Sequence, residues 1–459
     1  MSDPSILIFP QATDNTLEGN TFNIHHVETN IHSANEAPCP HTFERFLKHC
    51  CLGAQVDSNE RFDPPRCDPE TRLKITQEIM DWINSDDEIA SIMVLHGKKD
   101  DLRPPFFLSR SAASPQRSDG DAVIPTLVYQ HLQVFPWLKE RVLEDISKDP
   151  GLFARSREVQ FDRLFVKYFQ ALPQQLPGDA QHRLIALDGL DECSDRSVQQ
   201  DLLRIIAAAV PRLRHPFRFF FACRPEVHLM QVVNNDRLFQ HPFVHRIDLN
   251  AIEVDEDIRL FIIKEFWKIH ATHPLREFLP KDWPPQSIIT TLVTKASQQF
   301  IYADVVMRFV SRNNARPEDQ LNDILAVAPP RQDENPFSNL DALYSYIFDC
   351  VQDRETVQRI LGIIWLASQN KAYSVGHSYS DPAQLEEILG CRRGDIHLAL
   401  ADLLSVISVS KGRGVKVLHT SLFDFLLNPT RSGAHALDLA LAHQSLATWL
   451  WRKTISRGV

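Results

Sequence analysis

The feature that most constrains this chain is a set of short, almost unbroken apolar runs, each followed by a stretch with helical spacing. SIMVL at 91–95, LIAL at 184–187 and FRFFFA at 217–222 are of strand length and lack the polar alternation of a half-exposed strand. Such runs suit strands buried on both faces, and both faces are buried when helices cross over a parallel sheet. FFLSR at 106–110 and the segment 244–249 are further candidate strands. Helices are expected at 43–51, 68–84, 122–147 with a break near Pro136, 161–172 and 197–210. Strands alternating with helices predict an α/β domain over about 70–250.

After Asn250 the strand pattern stops. Residues 255–270, 286–312 and 317–327 have helical spacing, and Pro329, Pro330 and the polar RQDENP stretch mark a linker. From 336 onward the chain is mainly helical, with helices near 340–369 and 381–404. Two short strands follow at 406–410 and 415–419 around Gly412 and Gly414, a pattern that suits a winged helix. Residues 1–40 are polar and rich in Asn and His and are expected to form a flexible arm. Its segment 21–31, TFNIHHVETNI, alternates enough to make a strand on contact with a partner.

Composition removes several function classes. Lys plus Arg number 49 against 59 Asp plus Glu, a net charge of −10, which disfavours a nucleic-acid binder; Lys411, Arg413 and Lys416 form only a small basic cluster. The eight cysteines are too sparse for a disulfide framework, which predicts a reducing, cytoplasmic setting. The apolar stretch 6–10 is too short for a signal peptide, and 205–223 is interrupted by Arg212, Arg214, His215 and Arg218, so no membrane span is expected. His25, His26 and His32 lack companions at ligand spacing, and His49-Cys50-Cys51 lacks a second pair at zinc spacing. There is no GxSxG elbow and no HExxH helix.

The stretch that carries chemistry is LIALDGLDEC at 184–193. Its acids fall at the carboxyl end of a buried strand, where open α/β sheets place their ligands. In P-loop NTPases an acid at this point holds Mg²⁺ while a neighbour polarises the attacking water. Asp188 then reads as the metal residue, and Asp191 and Glu192 as the catalytic pair. The plainer alternative is an acidic turn after a strand. FRFFFA runs into Cys223-Arg224-Pro225-Glu226, which sets a guanidinium at the end of a neighbouring strand, suited to a terminal phosphate through forked hydrogen bonds. Pairing of Arg224 with a surface acid is the competing reading.

DGLDEC and FFFACRPE, preceded by ERFDPPRCDPETR and followed by FIYADVVMRFV and LHTSLFDFLLNPTRSG, together resemble the NACHT-domain proteins of fungi over about 43–450. These are signal-transducing NTPases of the STAND class, similar to the NOD-like receptors of innate immunity, which rest with ADP and switch on exchange to ATP. The resemblance implies a P-loop-NTPase-like α/β domain followed by a helical domain and a winged-helix domain. The divisions are an arm at 1–40, a nucleotide-binding domain at 41–250, a helical domain at 251–330, and a winged-helix and C-terminal helical region at 336–459. It implies ATP/ADP, or GTP, with Mg²⁺ as cofactors. It sets Thr71 and Arg72 beside the adenine, Gly97 as first glycine of the phosphate loop, Asp188, Asp191 and Glu192 as the Walker B block, and Arg224 as the sensor arginine. His419 would touch the ADP phosphate and hold the closed state.

One part of that pattern is missing. SIMVLHG should continue into GxxxxGK[ST], whose backbone N–H groups and lysine cradle phosphates. After Gly97 this chain reads KKDDLRPPFFLSR, with no GxxxxGK[ST] anywhere, and Asp100 and Asp101 would repel phosphate. In the family's sheet the first two strands are separated by two others, so their connection must span about 22 Å. Residues 98–105 reach at most about 26 Å when extended, while a packed crossover takes a dozen or more residues. The sheet is therefore expected to be incomplete, with FFLSR displaced, frayed or at a poorly ordered edge. Gln298-Gln299 also stands where the family usually has a glycine before FIYA.

The function expected is that of a degenerate NACHT-type scaffold acting through other proteins, self-association included, with nucleotide regulation or without it. The alternatives are an active ATP/GTP switch and a gene product from which the codons for loop and helix are absent; sequencing the transcript across 97–106 separates these.

Overall fold

The computed structural model describes residues 40–55, 58, 70–85, 91–97, 108, 115–170, 183–213, 217–328, 337–369, 379–410 and 414–456. Nearly all of the expected arm, its histidines and the 21–31 segment lie outside these residues. So do 98–107, the 329–336 linker, and Lys411 and Arg413.

The α/β unit opens with α1 (Pro40–Leu47) and α2 (Leu73–Asn84) and continues with β1 (Ile92–His96), α3 (Val123–Val134) and α4 (Lys139–Lys148). Pro136 has no N–H to donate, and a 3-10 turn at Pro136–Leu138 separates α3 from α4 as its position predicts. Next come α5 (Arg157–Phe161), a π-turn at Asp162–Val166, α6 (Lys167–Phe169), β2 (Arg183–Asp188), α7 (Arg196–Ala209), β3 (Phe217–Cys223), α8 (Val227–Asn235) and β4 (Val244–Asp248).

The four strands are parallel in the order β2-β3-β1-β4, and β3 pairs Phe221 with both Val94 and Leu187. Side chains alternate along each strand between two apolar clusters. Ile92, Val94, Ile185, Leu187, Phe219 and Phe221 join the cluster built with α1 and α3–α8. Met93, Leu95, Ala186, Phe220 and Ala222 join the one covered by Ile75, Trp82 and Ile83 of α2. Burial on both faces explains why these strands read as unbroken apolar runs.

Of FFLSR only Leu108 is described. Its N–H donates to the Asp188 carbonyl (3.0 Å) and its side chain joins the larger cluster, so it lies at the β2 end of the sheet, across β3 from β1.

Four helices follow: α9 (Asp255–Thr272), α10 (Gln286–Ala296), α11 (Phe300–Val310) and α12 (Pro317–Ala326). The remainder comprises α13 (Ser338–Asp349), α14 (Arg354–Gln369), α15 (Pro382–Leu389), α16 (Asp395–Ala399), the antiparallel hairpin β5 (Ile407–Ser410) and β6 (Gly414–Val417), then α17 (Ser421–Leu426), α18 (Pro429–Ser432) and α19 (Leu439–Ser456). One continuous apolar cluster runs from Val254 to Trp449, so α9–α12 and the later elements share a core. No helix among the described residues is long and apolar enough to cross a membrane.

The expected single helix at 286–312 is corrected. It is two helices, because Ser297 (φ 49°) and Gln298 (φ 61°) adopt the left-handed region and turn the chain. The apolar spacing continues through the turn, which hides it from a periodicity reading. Left-handed backbone at a residue with a Cβ costs about 1–2 kcal/mol, and glycine lowers that cost at some expense in chain entropy. Gln298 is exposed, so Gln298→Gly is expected to stabilise the helical core by about 1 kcal/mol. A rise in the thermal midpoint would show it; no rise would mean the turn is unstrained.

Candidate functional site at the carboxyl end of the sheet

β2 delivers Asp188 to the sheet's carboxyl end, and Gly189 then turns the chain in the left-handed region (φ 69°). A Cβ on Gly189 would stand 3.0 Å from the Leu108 carbonyl oxygen, so glycine is required there on both counts. The turn closes with the Glu192 N–H donating to the Gly189 carbonyl (2.7 Å), which leaves Asp191 and Glu192 buried and Asp188 half-buried. Gln199 of α7 is fully buried and fixes this turn: its Nε2 donates to the carbonyls of Asp191 (3.2 Å) and Cys193 (2.7 Å). Its Oε1 faces Nε2 of His228 on α8. Asp195 caps α7 by accepting the Ser197 N–H, so the acid-bearing turn is bound to a rigid helix start.

β3 delivers Arg224. Its backbone N–H donates to Asp191 Oδ1 (3.0 Å), and its Nε lies 3.3 Å from Asp191 Oδ2. The guanidinium also reaches the C-terminal part of the chain, donating from Nη1 to Asp424 Oδ2 (2.7 Å) and from Nη2 to Thr420 Oγ1 (3.1 Å). Burial works against its charge. The carboxylates of Asp424, Asp191 and Glu192 outweigh burial and hold the guanidinium above its already high ordinary range.

His419 precedes Thr420 in the turn before α17. The Ser421 N–H donates to its Nδ1 (3.1 Å), and the Ser421 hydroxyl, 2.6 Å from Nδ1, meets the Tyr344 hydroxyl at 2.8 Å. Nδ1 therefore serves as an acceptor.

The Gly97 N–H donates to the carbonyl of Cys223 (3.3 Å), next to Arg224. A Cβ on Gly97 would lie 2.5 Å from the Leu249 Cβ, so this glycine is needed for close packing of β1 against the chain leaving β4. His96, one residue earlier, lies 3.6 Å from Asp248 and is held below its ordinary value chiefly by burial, with Asp248 opposing.

Asp188, Asp191, Glu192, Arg224, Gly97 and the His419 turn thus converge around the end of β3. Thr71 and Arg72 are buried at the start of α2, where Arg72 meets α9 and α11. The Arg72 N–H donates to Asp257 (2.8 Å), and its guanidinium carbon stands 4.4 Å over the Phe300 ring.

Sequence reasoning missed Thr420 and Asp424, although both stand in the LHTSLFDF stretch that exposed His419. It also missed Gln199, His228 and Leu249, which carry no motif.

Residues 88–224 match the family model described as Nephrocystin 3, N-terminal. The matched segment is less than a third of the chain, ends on Arg224, and loosely fits a NACHT-type family. Comparison with curated proteins finds no match.

Chemically, the arrangement is one guanidinium shared between carboxylates from two distant parts of the chain, with a half-buried acid, Asp188, beside them. Two buried cysteines are held as thiols: burial, aided by Cys51, pushes the Cys50 thiol up to about 12, and burial raises Cys223 well above its usual range.

Proposed function

We propose that this protein is a cytoplasmic, degenerate NACHT-type signalling protein that works as an interaction scaffold, its sheet-end site joining two parts of the chain rather than gripping a nucleoside triphosphate. The observation that carries this reading is the state of Arg224. The group suited to a terminal phosphate is neutralised by Asp191 within the α/β unit and by Asp424 from α17. A phosphate arriving there would have to displace a carboxylate of the protein itself.

The residues present fit one half of a magnesium–nucleotide site. Asp188, beside Asp191 and Glu192, is the acid that would hold Mg²⁺ and a coordinated water. The phosphate half does not fit: the sequence has no GxxxxGK[ST], and Leu249 closes over the Cα of Gly97, where a phosphate loop would begin. The sparse cysteines and the partial family match support the compartment and the family theme.

Titration of the purified full chain with ATP, ADP and GTP in the presence of Mg²⁺ tests the reading. No saturable binding in the micromolar range is expected. Micromolar binding would overturn it in favour of an active switch, and hydrolysis abolished by Asp188→Ala would complete that reversal.

A further inference from the structure

α9 is apolar on two opposite sides. Ile258, Ile262, Phe266 and Ile269 recur at three- and four-residue steps and are buried in the core that the helical elements share. At about 100° per residue, Leu260 and Trp267 stand across the helix from them. Leu260 is 39% exposed and Trp267 71%. Half-buried Ile263 and exposed Ala271 complete a row with the spacing of a helix–helix seam. Single apolar residues in water need no explanation, whereas a row centred on a tryptophan marks a surface that takes a partner.

The charges along the same helix select the partner. Residues 253–259 carry four acids against Arg259, and residues 264–276 carry three bases against Glu265, so α9 has an acidic start and a basic end. Only an antiparallel copy of itself brings unlike ends together on both sides of the seam, and it also opposes the two helix dipoles. We propose that this face of α9 binds the same face of a second copy of the chain, the helices running antiparallel with Leu260 of each against Trp267 of the other. Such an isologous contact closes at two copies. Glu256 and Lys268 are exposed and pair within α9 with Arg259 and Glu265, surface contacts weak enough to be exchanged for ones across the seam. Lys264, near the two-fold axis, is neutralised by Glu70 at 2.9 Å and does not repel its counterpart. An anionic membrane fits this face less well, because over 264–282 four bases are matched by three acids. A single helix pair is a small interface, which sets the expected dissociation constant on the order of 10–100 µM.

Analytical ultracentrifugation of the full chain in nucleotide-free buffer, from about 1 to about 200 µM, tests this across that range. A concentration-dependent dimer is expected, weakened about tenfold or more by Trp267→Glu. Leu398→Ser on α16, at a side chain 75% exposed, should leave it unchanged. Glu256→Lys and Lys268→Glu should each weaken the dimer, and the two together should restore it, since the swapped ends are again unlike. Both positions are exposed, so folding is preserved, and an unaltered thermal midpoint checks it. A chain that stays monomeric, a dimer indifferent to Trp267→Glu, or a double swap that fails to restore association would overturn the proposal. So would flotation with anionic-lipid vesicles that Trp267→Glu abolishes in the absence of any dimer, which would give the row to a membrane. The seam uses none of the sheet-end residues, so nucleotide binding would overturn the proposed function and leave this result standing.

Discussion

Arg224→Gln is expected to destabilise the α/β unit by about 3 kcal/mol, far more than any change on the other side of the same contact. The reason is the partner left behind. Asp191 is buried, and its carboxylate faces Arg224 through both the backbone N–H and Nε. Removing the guanidinium leaves a buried negative charge with its main counter-ion gone, a change that costs about 3–5 kcal/mol when fully enclosed; the partial exposure of Arg224 places this site at the low end. Asp424→Asn removes a carboxylate from a half-exposed pair and should cost about 1 kcal/mol or less. The double variant Arg224→Gln with Asp191→Asn should recover most of the loss, since asparagine keeps an oxygen for the Arg224 N–H and carries no charge. Exchange of the β3 amides across a urea series reads all three. A cost for Arg224→Gln no larger than that of Asp424→Asn would show that the pairing with Asp191 is not what secures the turn.

That asymmetry also shows what the sequence could disclose. The parallel sheet was legible because burial on both faces leaves a direct trace, and the two clusters that divide Met93 and Leu95 from Ile92 and Val94 are that trace in space. The acids and Arg224 were legible because a strand's carboxyl end is a fixed place in such a sheet. Asp424 was not, since nothing local to it records a partner 200 residues away. Gln199 is a glutamine in a helix until the fold aims its amide at two carbonyls. The break at Ser297 and Gln298 was hidden for another reason: left-handed residues usually announce themselves as glycine or asparagine, and here neither is present.

Gly97→Ala separates two demands placed on one residue. A glycine ending SIMVLHG suits a phosphate loop, and the structure shows a packing requirement at the same position. An added Cβ would lie 2.5 Å from Leu249 Cβ and 3.1 Å from its Cδ1, so β1 or the chain after β4 must shift. Overpacking of this kind costs about 1–3 kcal/mol, and the effect should appear in the absence of any nucleotide. Leu249→Ala alone opens a void in the α2-covered cluster and should cost about 2–4 kcal/mol. Together the two changes should cost less than their sum by about 1 kcal/mol or more, because the alanine methyl enters space that the shortened side chain vacates. Additive losses would mean the crowding is relieved elsewhere. A loss seen only with nucleotide present would return Gly97 to the phosphate loop and remove one support from the scaffold reading.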